Sequence, residues 1–421
     1  MISVNELKLR REKIFNAMED ESIGLVFGGM AKLECGDDAT YPFTVNRNFF
    51  YLTNITQEES LLMFVKTATD KKVILFVKEP NETKAKWVGK RLSVEEAKSL
   101  SGIDNVLFFD HFFEKLALIL GKEAQYGLIE KVYLDSSKEV KIKENYYLEN
   151  LKKDIEKDYG LEVMDLSNTI IRLRMVKSDE EIKTIKDAIK VTNVGLNAIM
   201  NVLEPGLYEY QTVALFEYII KDYANANLSF ATIAASGKNA TILHYPTPLA
   251  KLKDNELILF DLGAEVEGYH ADISRTYPIN GKFNPEQKQI YDIVVRCNKH
   301  IIDFIKPGLT LKDLQDETVR FYQDELYKIG LINEPKDVFK YYYHSVSHHL
   351  GLDTHDESDR SIPLEPGNVI TVEPGLYIEE MGIGIRIEDD VLVTEDGSLN
   401  LSSDIKKEMN DLEIIFHNRA S

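Results

Sequence analysis

Two segments of this chain set carboxylates inside strands that are otherwise apolar, and few folds tolerate that arrangement. In the first, Ile258-Leu259-Phe260-Asp261-Leu262 and His270-Ala271-Asp272-Ile273-Ser274 flank a turn at Glu265–Gly268. A regular hairpin centred between Val266 and Glu267 pairs Asp261 with Asp272. In the second, Val369-Ile370-Thr371-Val372-Glu373 and Gly384-Ile385-Arg386-Ile387-Glu388 flank Glu379-Glu380-Met381-Gly382. A turn centred between Glu380 and Met381 pairs Glu373 with Glu388. Directly opposed residues bring their Cβ atoms to about 4.5–5.5 Å, where like charges repel. Burial raises the cost further unless a proton is shared or a cation intervenes. A bulge in one hairpin would spoil one register. Two such pairs make a cation the simpler reading.

The pairs sit in equivalent places of a duplication. A helix ending at Leu203-Glu204-Pro205-Gly206-Leu207 is followed by a helical stretch, Glu209–Tyr223; a helix from about Pro285 ends at Ile305-Lys306-Pro307-Gly308-Leu309 and is followed by Leu311–Ile329. A strand-rich region follows each. Proline-glycine is also a common helix stop. With the carboxylate hairpins, however, the pattern predicts one α+β domain built from two similar halves. It begins at Ser178-Asp179-Glu180-Glu181, which has capping-box spacing, and the boundary falls near 172–177, as a short junction without Pro/Gly/Ser enrichment. The preceding residues read as mixed α/β, with strands at Ile23–Phe27, Phe49–Ile55, Leu61–Val65, Val73–Val77, Val106–Phe109 and Leu161–Met164. Helices are predicted at Asn5–Met18 and Val94–Leu100, with a Lys/Glu-rich helical pattern around Lys141–Tyr159. Two domains suit a chain of 421 residues.

Composition removes several function classes. The formal charge of −20 disfavours nucleic acid as a partner. No apolar run approaches the roughly 18–20 residues of a membrane span, and Met1–Glu6 lacks the pattern of a secretion signal. Cys35 and Cys297 provide neither a disulfide framework nor a thiolate metal site. A cytoplasmic protein is expected.

The histidines supply nitrogen ligands. His344, His348, His349 and His355 crowd into one stretch beside the second hairpin, and His244 shortly precedes the first; His111, His270, His300 and His417 read as ordinary. Four carboxylates and about one imidazole are too many for one tetrahedral zinc. They suit two divalent ions, with manganese, cobalt or zinc admissible, which would acidify a shared water and give hydrolase chemistry. The H-E-x-x-H, G-x-S-x-G and P-loop patterns are absent.

The strings HYPTPLAKLKDNELILFDLGAEVEGYHADISRTYP, HSVSHHLGLDTHD and LEPGNVITVEPGLYI…GIGIRIEDDVLVTEDG resemble the pita-bread metallopeptidases, and among them the aminopeptidase P (Xaa-Pro aminopeptidase) family. GDDATYPFTVNRNFFYLTNI and WVGKRLSVEEAKSL resemble that family's amino-terminal domain, so the likeness runs over essentially the whole chain. It implies an α/β amino-terminal domain of creatinase/aminopeptidase P type over 1–174. An α+β pita-bread catalytic domain with an internal pseudo-twofold follows over 175–421.

The resemblance assigns residues one by one. Asp261, Asp272, His348, Glu373 and Glu388 match the metal ligands, with Asp272 and Glu388 bridging two ions, commonly manganese; alignment chooses His348 over His349. Glu373 matches the proton shuttle. His244 and His355 match groups that hydrogen-bond the peptide carbonyl or the tetrahedral intermediate, and His344 would line the proline side. Tyr377 and Arg386 match supporting residues. Asp38 lies where the amino-terminal domain nears the site in relatives. Trp87 matches a position that reaches a neighbouring subunit's site in tetramers; a core aromatic is the alternative. The turn between Glu373 and Glu388 is shorter than in larger relatives.

The implied reaction releases the amino-terminal residue from peptides with proline at position two, through a hydroxide bridging two divalent ions, in a homodimer or homotetramer. Prolidase, which shares the ligands but takes the Xaa-Pro dipeptide, is the nearest rival. Methionine aminopeptidase normally lacks such an amino-terminal domain, and creatinase lacks the full ligand set. A non-catalytic peptide-binding module is the alternative from another class, opposed by the filled ligand positions.

Overall fold

The structure is a computed structural model, and it describes residues 1–35, 39–121, 125–136 and 145–419. Its contacts divide the chain into two compact units, Met1–Arg174 and Met175–Ser421.

The first unit is organised by a six-stranded mixed sheet. Its spatial order is Val106–Phe108, Lys71–Val77, Ser60–Lys66, Ser22–Gly29, Lys131–Leu134 and Glu162–Asp165. Every residue of Ser22–Gly29 is buried, as expected where helices cover both faces of a central strand. The apolar run Phe49–Ile55 departs from expectation: Arg47–Thr53 is a helix. The Asn46 side chain accepts from the Phe49 N–H at 3.0 Å, and Asn54 closes the other end at φ 58°. All residues of this helix are buried. With every face covered, no periodicity betrays the helix, and the caps were the legible signal.

The second unit carries the duplication in its backbone bonds. Asp179–Val202 opens with the capping box of Ser178 and Glu181 and stops just before the first Pro-Gly-Leu; Glu209–Ala224 follows. Pro285–Phe304 and Leu311–Lys328 flank the second. In the first half the Gly206 N–H donates to the Leu252 carbonyl at 2.9 Å and Leu252 N–H returns to Leu207 at 2.7 Å. In the second, Gly308 N–H donates to Leu364 at 2.8 Å and Leu364 N–H returns to Leu309 at 2.7 Å. Asp261 and Glu373 follow those leucines at the same spacing. Pro-Gly-Leu is therefore more than a helix stop: it clasps the strand that delivers the first carboxylate of each half.

The hairpins themselves divide. In the second half, Gly375–Ile378 pairs with Ile383–Arg386, and Val369–Val372 pairs with Asp389–Val393 in the same register. Glu373 and Glu388 lie opposite each other in the gap between those two ladders, as the turn centre predicts. The first hairpin is displaced. Asp261 pairs with Ser274, and Asp272 lies two residues away on the same strand face. The cause is the turn, which is centred on Glu267 and Gly268 with φ 51° and 86°. Both central residues of a type I′ turn need positive φ, so glycine fixes its position. The Asp pair is thus diagonal instead of directly opposed.

The two halves join along Ser274–Thr276 and Arg386–Glu388. Glu388 N–H donates to the Ser274 carbonyl at 3.0 Å, Arg386 N–H donates to Thr276 Oγ1 at 3.2 Å, and the Arg275 guanidinium reaches the Glu388 carbonyl at 2.5 Å. This seam lies directly beside the carboxylates.

Candidate metal centre

Asp272, His348 and Glu388, all buried, each offer a ligand atom within 4.8 Å of the others. His348 Nε2 lies 3.4 Å from Asp272 Oδ2 and 3.5 Å from Glu373 Oε1. The other ring nitrogen, Nδ1, is 3.1 Å from the His349 carbonyl, which fixes it as the protonated one and leaves the Nε2 lone pair for a ligand. Asp261 reaches the cluster through Arg386, whose NH2 lies 2.6 Å from Asp261 Oδ2. Asp261 Oδ1 is buried with no hydrogen-bond partner.

The electrostatics ask for positive charge. Burial, then the neighbouring carboxylates, pushes Asp272 and Glu388 well above the usual carboxylate range. Glu373 is pushed up to about 7, by burial first, with His348 and Arg386 opposing. Among the described residues, one guanidinium, Arg386, is ion-paired within this group of four carboxylates. Unpaired buried ions cost several kcal/mol each. The oxygen-rich donors, the correctly oriented imidazole and the partnerless Asp261 oxygen all fit divalent metal ions.

Burial favours the neutral form of three nearby imidazoles, His344, His349 and His355. His355 is pulled down to about 4 by burial and then by His348, whose ring meets it edge-on with centroids 4.3 Å apart. His344 is pulled down to about 3 by burial and then by Arg386. Its Nδ1 is 2.8 Å from the Ser345 carbonyl and its Nε2 is 2.9 Å from the Tyr377 hydroxyl, which itself accepts from Arg386 NH1 at 3.0 Å. Both ring nitrogens are therefore occupied, and the Tyr342 and Tyr377 rings pack against the imidazole with centroids 5.2 and 5.5 Å away. His244 is exposed. His349 is buried and pulled down to about 3, by burial and then Lys177. His270 is a structural residue, with Nδ1 2.9 Å from Thr354 Oγ1.

Two expectations fall outside this cluster. Trp87, in the helix Glu82–Val88, is 80 % exposed, so the core reading is wrong for the described chain. Asp38 lies outside the described residues.

Several contributors had escaped the sequence reading. Ser274 Oγ donates to Glu388 Oε2 at 2.7 Å and accepts from Arg386 Nε at 2.7 Å. It stands two residues beyond Asp272, and strand alternation with the correct turn would have found it. Asn298 Nδ2 donates to the carbonyls of Val372 at 3.0 Å and Ile387 at 3.3 Å, the residues just before Glu373 and Glu388. A helical asparagine carries no local signal for this. Asp390 Oδ2 accepts from the Asp272 N–H at 3.2 Å, and burial raises its carboxyl well above the usual range. Asp389 is held far below that range: burial opposes ionisation, but Arg275 and Lys407 outweigh it.

Comparison with known proteins places this geometry. Residues 183–395 match metallopeptidase family M24, and residues 7–127 match the aminopeptidase P N-terminal domain. The Xaa-Pro aminopeptidase of Escherichia coli is 32 % identical over 98 % of each chain, and that of Haemophilus influenzae 31 % over 97 % of this chain and 96 % of the other. Among solved structures, a Bacillus anthracis protein assigned as an aminopeptidase P superposes with a TM-score of 0.94 at 40 % identity, covering 99 % of each chain. The E. coli aminopeptidase P with the inhibitor Pro-Leu gives 0.90 at 30 % identity, over 100 % of this chain and 99 % of the other.

Proposed function

The chain belongs to metallopeptidase family M24 and, within it, to the aminopeptidase P type; from that premise we propose how its own residues carry out the reaction. It is a metallo-exopeptidase that hydrolyses the bond between an amino-terminal residue and proline at position two. The observation that carries the mechanism is the convergence of Asp272, His348 and Glu388 from both halves of the second unit. Asp261 and Glu373 complete the set that would hold two divalent ions. When bound, such ions supply Lewis acidity and an activated water at neutral pH.

The protein's groups then have distinct tasks. Glu373 carries a proton from water to the departing proline nitrogen. His355 and His244 donate N–H groups to the carbonyl oxygen as it gains charge; His355 is neutral, so it brings a dipole without a competing charge. His344, locked by Ser345 and Tyr377, lies on the proline side. Arg386 holds Asp261 in place through its 2.6 Å contact with Oδ2. Site carboxylates hold the free α-amino group, which restricts attack to the chain end.

Manganese as the working metal, a homodimer or homotetramer, and a cytoplasmic setting are parts of the same proposal. The oxygen-rich donor set supports manganese, and the exposed Trp87 supports an assembly in which that ring is covered. Sparse cysteine usage, with Cys297 a buried free thiol, supports a reducing compartment. No helix among the described residues is long and apolar enough to cross a membrane.

The test compares an Xaa-Pro dipeptide with an Xaa-Pro-Yaa tripeptide under manganese, cobalt and zinc. Cleavage of the tripeptide, fastest with manganese, is expected. Turnover of the dipeptide alone would make the enzyme a prolidase.

A further inference from the structure

In each half of the second unit, one polar side chain on the second helix of the pair grips the segment that carries a site histidine. Glu209, at the start of Glu209–Ala224, is fully buried. Its Oε1 accepts from the Ser236 N–H at 2.7 Å, the Ser236 hydroxyl at 2.7 Å and Asn239 Nδ2 at 3.1 Å. Its Oε2 accepts from the Ala250 N–H at 2.9 Å. Ser236 and Ala250 are the two ends of the loop at whose centre His244 stands. Asn239 Nδ2 also donates to the Tyr245 hydroxyl at 3.1 Å, immediately next to His244. One carboxylate therefore closes the neck of the loop and, through Asn239, braces its tip.

Gln315 on Leu311–Lys328 does the corresponding work in the other half. Its Nε2 donates to the His344 carbonyl at 3.1 Å, and its Oε1 accepts from the Val346 N–H at 2.8 Å and the Tyr342 hydroxyl at 2.9 Å. The two residues differ in type and in position along their helices. Each instead answers the orphaned donors and acceptors of its own histidine segment, where an unpaired buried group is costly.

We propose that Glu209 and Gln315 are positioning residues, Glu209 holding the His244 loop at the reacting carbonyl and Gln315 holding the His344 segment on the proline side. Among the described residues Glu209 touches none of the cluster carboxylates, so its loss should leave metal binding intact; Gln315 stands nearer, since the Val346 it grips accepts from the Glu373 N–H at 2.9 Å. This rests on the assignment of His244 and His344 to substrate made above.

The experiment measures steady-state kinetics on an Xaa-Pro-Yaa tripeptide, with manganese affinity by calorimetry, for Glu209→Gln, His244→Ala and the double variant. Glutamine keeps the shape but replaces one acceptor oxygen with a donor. Glu209→Gln is expected to lower kcat by about 10–100-fold, on the scale of losing a positioned acid–base or oxyanion contact. Manganese affinity should stay within about twofold, a change worth under RT, and Glu209→Gln should cost almost nothing further once His244 is alanine. Tyr245→Phe, which keeps the Glu209 carboxylate and its bonds to Ser236, Asn239 and Ala250, should show a smaller loss with the same dependence on His244, and so covers a Glu209→Gln chain that fails to fold. Gln315→Met should act on KM instead of kcat. Unchanged kcat in Glu209→Gln and Tyr245→Phe alongside a large loss in His244→Ala would overturn the proposal alone, as would full additivity of the double variant. Unchanged kcat in His244→Ala would instead overturn the assignment of His244.

Discussion

The two halves of the catalytic unit solve one problem by different means. In the first, Asp261 and Asp272 sit diagonally on a hairpin whose strands run on past them, and a two-residue turn at Glu267–Gly268 sets the register. In the second, Glu373 and Glu388 stand opposite each other where the ladder is interrupted, and the register is the one the turn predicts. The short Asp side chains are set mainly by backbone register, with Arg386 pinning Asp261. The longer Glu side chains rely on braces: Asn298 on the preceding carbonyls, Ser274 on Glu388 and Arg275 at the seam. A ligand can thus be held by the strand that bears it or by what packs against that strand.

The largest expected effect treats the halves as equals. Asp272→Ala and Glu388→Ala should each abolish manganese binding by calorimetry and lower tripeptide turnover by at least about 10²–10³-fold, the scale of one lost transition-state contact. An active, metal-free variant of either would break the account.

Next come substitutions that separate the halves. A Cβ added at Gly263 would lie 1.8 Å from the Ala271 carbonyl oxygen, so Gly263→Ala must push Asp272 away from its position. Overpacking of this kind costs about 1–3 kcal/mol, and manganese affinity should fall by about 10–100-fold. Asn298→Leu leaves the Val372 and Ile387 carbonyls unpaired and should weaken manganese binding on a comparable scale through Glu373 and Glu388 instead. Combining the two should weaken metal binding further than either alone, though short of strict additivity, because the two pairs of carboxylates share one centre. A combined loss no greater than either single one would mean that the halves are not separately held.

The pH response is smaller. Asp272, Glu388 and Glu373, the last at about 7, have folded pKa values raised above those of an unfolded chain. The folded, metal-free protein therefore binds extra protons, and the stability this brings is full below about pH 4.5 and lost as pH rises through 7. A divalent ion such as manganese would bind the deprotonated site, so the gain in Tm on adding it should be larger at pH 8 than at pH 5.5, by about 4 °C, roughly 1–2 kcal/mol for a unit of this size. The lowered pKa values of His344 and His355 oppose this in absolute stability, which falls with acid, but they cancel in the difference made by metal. Equal gains at both pH values would refute the proton release.

Much of this was legible in the sequence, and the failures have physical causes. Strand periodicity, the Ser178 capping box and the duplicated Pro-Gly-Leu are local signals, and local bonding realises them. The first register slipped because the turn was centred on Val266 and Glu267 instead of on the Glu267–Gly268 pair that can take positive φ. The slip was by two, so the carboxylates kept their face and the chemical reading survived. The helix Arg47–Thr53 was misread because a segment buried all round has no face to display. Asn298, Gln315 and Glu209 act across long sequence separations, and only the folded chain brings them to the strands they hold.

The seam between Ser274–Thr276 and Arg386–Glu388 has a consequence for synthesis. The centre draws on residues from Asp261 to Glu388, so a ribosome that has made the first hairpin has made only half a chelator. A nascent chain halted before Glu388 lacks both the last ligand and the seam strand that aligns Ser274 against it. Completion of the site is thereby a late event in the life of the polypeptide, and an unfinished copy holds no complete trap for a divalent ion.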